Sequence, residues 1–248
     1  MSKVPALITP QFGVFDDFLP ESEFRLLWNH LRDAEYVFVN RVRWEGVYGL
    51  LDGRPLEGSG LLSRPLEELS DVAAYPTGGA MDFIVRRLLE LAPLLAPWVG
   101  QEEVDWHYLT ARPFLYPQGS ALAWHDDGAN RAGAFSYYAH PSWNCRWGGE
   151  LCITRVRMED LALPDEEVPG KGPCRLPLEL DNRLESEPLM ADGIGYYIAP
   201  RPNRLVVMAP GHLHRIARVE PAAGAAVRCS VSGFFTRRDP PRGRTTAA

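Results

Sequence analysis

The chain is short of the features that mark disulfide-stapled, membrane-spanning or nucleic-acid-binding proteins. It has four cysteines, Cys145, Cys152, Cys174 and Cys229, and none belongs to a C-x-x-C pair. That spacing supports neither a zinc ribbon nor a disulfide framework, and it suits thiols kept reduced. No stretch approaches about 18 apolar residues without a charge, so no membrane partner is expected. The start, MSKVPALITPQFG, has only a short apolar run broken by Pro5, too little for the core of a signal peptide. A cytoplasmic protein is therefore expected. Basic charge is not in excess either: 26 Lys+Arg stand against 32 Asp+Glu, for a net charge of −6. That balance argues against a binder of nucleic-acid backbones.

What is present reads as an ordinary globular chain. Of 248 residues, 46% are apolar and 23% charged, which excludes disordered and collagen-like classes. The length suits one large domain or two small ones. Pro20 and Glu21 open a helical turn, and Phe24, Leu27, Trp28 and Leu31 follow as one apolar stripe. Residues 40–78, dense in Gly and Pro, read as loops and turns. Ile84, Leu88, Leu91 and Leu95 predict a second helix from near Ala80, limited or kinked by Pro93. From about residue 104 the texture becomes short apolar or alternating runs: 108–116, 120–124, 133–139, 150–156, 195–199, 204–209, 213–219 and 226–236. These predict an all-β barrel or sandwich. Between the fourth and fifth runs lies an acidic, proline-rich stretch, about 157–193, too proline-rich for a regular helix. Its place favours an active-site lid. Residues 237–248 read as a flexible tail.

Histidine is scarce, which makes its placement informative. The six are His30, His107, His125, His140, His212 and His214. His125 and Asp127 stand at i and i+2, so in a strand both side chains face one way and can share a metal. A histidine from a neighbouring strand would complete two imidazoles and one carboxylate, a facial set that suits Fe(II) and leaves positions open for chemistry. Arg228 lies on the last predicted strand, where its planar fork can hold a carboxylate bidentately. Ser230 shares its face.

The order of these motifs resembles the 2-oxoglutarate- and Fe(II)-dependent dioxygenases. His125-x-Asp127 is followed by Gly148-Gly149-Glu150-Leu151, then by Asn203-Arg204-Leu205-Val206-Val207, a distal histidine, and an arginine in the final strand. The closest flavour is the prolyl-4-hydroxylase-like branch, whose entry to its first helix is similar to Phe15-Asp16-Asp17-Phe18-Leu19-Pro20. The resemblance covers most of the chain and is strongest over 104–236. It implies a mainly β fold with flanking helices, a double-stranded β-helix (jelly roll). One catalytic domain would span 1–236, with helical support over about 1–103, the jelly-roll core over about 104–236 and the lid over about 157–193.

The resemblance also implies Fe(II), 2-oxoglutarate and O2. His125, Asp127 and a distal histidine would hold iron. His214 fits the distal position better than His212, because a hydrophobic strand follows it. Arg228 would take the distal carboxylate of 2-oxoglutarate, with Tyr116, Tyr138 and Ser230 as further contacts. The expected reaction is hydroxylation of an unactivated C–H in an amino acid, peptide or related biosynthetic substrate, with release of succinate and CO2. Halogenases of this type replace the carboxylate that Asp127 supplies here, so hydroxylation is preferred. Nucleic-acid repair members carry a second arginine six residues after the first, where this chain has Phe234. No nucleic-acid partner is expected, and the chain would be a monomer or homodimer. The alternative is a jelly-roll metal protein outside the oxygenases, an isomerase or a ligand-binding module.

Overall fold

The computed structural model describes residues 4–39, 52–70, 72–128, 130–160 and 187–237. Its elements, in chain order, begin with β1 (Leu7–Ile8), β2 (Phe12–Phe15), α1 (Glu21–Asp33) and β3 (Tyr36–Phe38). β4 (Leu56–Gly58), β5 (Leu61–Leu62), β6 (Ala73–Ala74) and α2 (Asp82–Val99) follow. The second half holds β7 (Tyr108–Tyr116), β8 (Leu122–His125), β9 (Arg131–Tyr138) and β10 (Leu151–Arg157). After it come α3 (Glu187–Asp192), β11 (Gly195–Ile198), β12 (Leu205–Met208), β13 (His212–Ile216) and β14 (Arg228–Thr236).

Two sheets carry the fold. The larger runs β1-β2-β12-β9-β14-β7-β4-β3, with β5 and β6 attached through β7, and the smaller runs β11-β10-β13-β8. From β7 onward the chain crosses repeatedly from one sheet to the other, as a jelly roll does. Alternation along the strands then sorts the side chains. On β12, Leu205 and Val207 join the core packed on the helices, whereas Val206 and Met208 join the core between the sheets. On β14, Cys229, Val231 and Phe235 face the helix side. Arg228, Ser230, Ser232 and Phe234 are left to face the barrel interior.

The eight runs expected from residue 104 onward are all strands, with ends shifted by a few residues. Three other expectations are corrected. The first hundred residues are not only helical support, because β2 pairs with β12 and β4 pairs with β7 inside the large sheet. The described part of 40–78 is likewise not all loop, since it holds β4, β5 and β6. Strands this short are stabilised by the neighbour they pair with, and carry little periodicity of their own. Finally, α2 continues through Pro93 and Pro97 to Val99. Leu88, Leu91, Leu95 and Trp98 form a buried stripe on the large sheet, and that burial outweighs the proline penalty of about 3 kcal/mol per site.

The acidic stretch also departs from expectation at its end, where Glu187–Asp192 is helical. Most of the expected lid, residues 161–186, lies outside the described residues, as do Cys174, Arg41, Arg43, Trp44 and nearly all of the expected tail.

Candidate metal and anion site

β8 and β13 are paired so that His125 stands directly opposite His214. The rings lie 4.3 Å apart, centroid to centroid. Each ring is oriented by its own strand. Nδ1 of His125 lies 2.8 Å from the Ala123 carbonyl, and Nδ1 of His214 lies 3.0 Å from the His212 carbonyl. A carbonyl only accepts, so each Nδ1 carries the proton and each Nε2 keeps a lone pair. Both Nε2 atoms turn toward Asp127: its Oδ1 is 3.8 Å from His125 and 3.6 Å from His214. The three donor atoms lie within 4.8 Å of one another, too far apart for hydrogen bonds and close enough to share one cation. Burial, with His214 beside it, pushes the His125 imidazole down to about 4, so it stays neutral at physiological pH.

His212, the alternative distal histidine, is only partly buried and pairs across the strands with Arg157, away from the cluster. Alternation places both histidines on one face of β13, and it is the register that sets His214, and not His212, opposite His125.

A second polar cluster sits on the large sheet. Arg228 is wholly buried, opposite Tyr116 on β7. Its Cζ lies 5.3 Å from the Tyr116 ring and 5.0 Å from the Tyr138 ring, within cation–π range of both. Nε donates to the Gly149 carbonyl at 2.8 Å and Nη1 to Ser230 Oγ at 3.1 Å. Among the described residues, Nη2 and the buried Tyr138 hydroxyl, which lies beside Arg228, make no hydrogen bond of good geometry. Gly149 makes this possible: it sits at φ 75°, and a Cβ there would lie 2.9 Å from Arg228 Cδ.

A buried guanidinium and a buried phenol with unmet hydrogen bonds are costly, several kcal/mol for the charge alone. A carboxylate would satisfy both. The donor set of the first cluster and the orphaned atoms of the second therefore fit a divalent iron and an anionic cosubstrate respectively.

The first cluster opens on a cavity of about 570 Å³ that is lined by His125, Asp127 and His214. Of the second cluster Tyr116 lines it, and Arg228, packed on the Tyr116 ring, does not. Trp124, Trp143, Trp147 and Arg146 do not line it. His140 is a buried structural residue. Its Nε2 donates to the Pro200 carbonyl at 2.7 Å and its Nδ1 accepts from the Cys229 amide at 3.2 Å.

Sequence reasoning missed the polar row Arg112, Ser232 and Ser136, all on the cavity wall. Arg112 lies four residues before Tyr116 on β7 and so shares its face, which period-2 alternation could have revealed.

A jelly roll with two imidazoles and a carboxylate opening on a cavity, beside a buried arginine that lacks an anion, defines the class of mononuclear metal oxygenases. Residues 112–236 match the family model described as the 2OG-Fe(II) oxygenase superfamily, and the chain belongs to that superfamily of oxidoreductases, which use Fe(II), 2-oxoglutarate and O2. No curated protein matches the chain significantly.

Among solved structures, the fold is similar to a prolyl hydroxylase from Trichoplax adhaerens solved in complex with a hypoxia inducible factor peptide fragment. Identity is 14% and the TM-score 0.51, over 92% of this chain and 84% of that one. It is similar to a 2OG-Fe(II) oxygenase family oxidoreductase from Burkholderia pseudomallei, with 11% identity and a TM-score of 0.52 over 92% and 86%. It is also similar to SnoN, an alpha ketoglutarate dependent epimerase of nogalamycin biosynthesis, with 12% identity and a TM-score of 0.53 over 92% and 78%. Among the described residues, no helix is long and apolar enough to cross a membrane.

Proposed function

We propose that this chain is an Fe(II)- and 2-oxoglutarate-dependent oxygenase that hydroxylates an unactivated C–H of an amino acid, peptide or related biosynthetic substrate. The observation that carries the reading is a metal-fitting triad on a cavity wall together with a buried, unsatisfied guanidinium packed on Tyr116, which lines the same cavity. His125, Asp127 and His214 hold the metal. Arg228 takes the distal carboxylate of 2-oxoglutarate, assisted by Ser230, Tyr138 and Tyr116. Bound iron and 2-oxoglutarate together supply the oxidising chemistry, in which O2 converts 2-oxoglutarate to succinate and CO2 and a substrate hydrogen is replaced by hydroxyl.

The chain's own residues prepare that step. Neutral His125 presents a lone pair that needs no prior deprotonation at pH 7. Backbone carbonyls hold both imidazoles in the required tautomer. Asp127 supplies the anionic ligand and fills the coordination position that halide would need, which favours hydroxylation. Phe114, Leu122 and Ile216 give the cavity an apolar wall that limits water near the metal.

The test is the release of succinate from 2-oxoglutarate by protein reconstituted anaerobically with Fe(II) and then exposed to O2. Release above a metal-free control, increased by substrate and accompanied by a product heavier by one oxygen, is expected. No succinate above that control would overturn the reading. Succinate with a product isomeric to the substrate would retain the oxygenase and replace hydroxylation with epimerisation.

A further inference from the structure

The cavity wall carries a second arginine whose surroundings are built for a ligand. Arg112 projects from β7, its side chain 29% exposed, and Glu57 on β4 holds it from behind at 3.1 Å with only 7% exposed. Both hydrogen bonds of the guanidinium leave from Nη1, to Glu57 and to the Gly58 carbonyl at 3.4 Å. The opposite edge, Nε and Nη2, makes none among the described residues. That edge is the one that grips a carboxylate in two parallel bonds.

It faces Gly60, which also lines the cavity. A Cβ at Gly60 would lie 3.2 Å from Nη2, 3.5 Å from Nε and 3.6 Å from Cζ, crowding the Nε–Nη2 side of the guanidinium. Glycine keeps that space open.

The row continues beside it. Arg112 is opposite Ser232 on β14, and Ser232 is opposite Ser136 on β9, with the two hydroxyls 3.0 Å apart. At roughly 3.3 Å per residue, this level is about 13 Å along β7 from Tyr116, which marks the level of Arg228. A short dicarboxylate held at Arg228 falls short of it. Glu57 balances the charge of Arg112, and Arg131, whose Nη1 donates to Thr236 Oγ1, lines the same cavity as Asp126 and Asp127.

We infer that the Nε–Nη2 edge of Arg112, kept open by Gly60, receives a carboxylate of the substrate, so that the enzyme selects free acids over their amides. Ser232 and Ser136 take the neighbouring polar groups. The inference rests on the oxygenase reading for the word substrate, and its test is chosen to stand apart from that reading. The probes are the twenty L-amino acids and their N-acetyl derivatives, each as the free acid and as the primary carboxamide. Calorimetry on the full chain with Mn(II) and 2-oxoglutarate measures binding without turnover.

Acids that bind should do so about 10- to 100-fold more tightly than their amides. Arg112→Gln should erase that ratio, and Gly60→Ala should lower it, with 2-oxoglutarate affinity unchanged within about twofold in both. Should Arg112→Gln not fold, Arg112→Lys and Gly60→Ala carry the test. A wild-type chain with no acid preference, including one that binds none of the acids, overturns the inference. So does a ratio that survives both Arg112→Gln and Gly60→Ala, or a loss confined to 2-oxoglutarate binding. Failure of the succinate assay counts against the oxygenase reading alone.

Discussion

The two polar clusters of the barrel differ in how well they stand without a ligand. On the small sheet, His125 and His214 are satisfied by their own backbone and burial holds His125 neutral, so the protein bears little penalty while waiting for a metal. On the large sheet, Arg228 and Tyr138 are buried with hydrogen bonds unmade. The first cluster is poised and the second is frustrated. One physical difference explains both: a neutral imidazole survives burial, whereas a guanidinium stays charged in any environment and demands an anion.

The largest effects should come from breaking the poised cluster. His125→Ala, Asp127→Ala and His214→Ala should each reduce succinate formation to background and lower bound Fe(II) from about one per chain toward none. His212→Ala should spare both. Metal analysis beside the activity assay checks this, and an active His214→Ala with an inactive His212→Ala would shift the register of the site by two residues.

The frustrated cluster should behave in the opposite sense toward stability. Arg228→Met should weaken 2-oxoglutarate binding about 10- to 100-fold while leaving the ligand-free melting temperature equal or higher, because an apolar isostere removes an uncompensated charge. Ligand at about 100 times the wild-type Kd stabilises by about 2.7 kcal/mol, so wild-type protein should gain roughly 5–10 °C, and the variant about half of that for a tenfold loss or about 1 °C for a hundredfold loss. A variant that melts well below wild type would recast Arg228 as a structural arginine.

Acid should expose the histidines that burial keeps neutral. His125 and His140 are both pushed from 6.5 down to about 4, chiefly by desolvation. Between these values the unfolded chain binds protons that the folded chain does not, so stability falls as pH drops from about 6.5 to about 4 and levels off below. Melting temperatures across that window measure the slope. A flat profile would mean that water reaches both rings.

Ser230→Ala should give the smallest change, a rise of a few-fold in the 2-oxoglutarate requirement, since one neutral hydrogen bond contributes about 1 kcal/mol. An effect as large as that of Arg228→Met would make the hydroxyl an equal partner in anion binding.

Much of the site was legible from local pattern. His125 and Asp127 share a strand face by spacing alone, and Arg228 and Ser230 do the same. The eight later strands announce themselves by short apolar runs between turn residues. The early strands β1 to β6 do not, since each is two to four residues long and depends on the sheet it joins. The same limit hid Glu57 and Gly60. They stand about fifty residues from Arg112, and nothing near them in the chain marks them as its neighbours.

Strand alternation is a covalent property, fixed by the backbone wherever a strand forms, so the sequence by itself determined which ligands could face one another within a strand. Pairing between strands is decided by the burial of distant surfaces against each other. Only the tertiary structure could therefore set His125 opposite His214, leave Arg228 without its anion, and open the edge of Arg112 against a glycine.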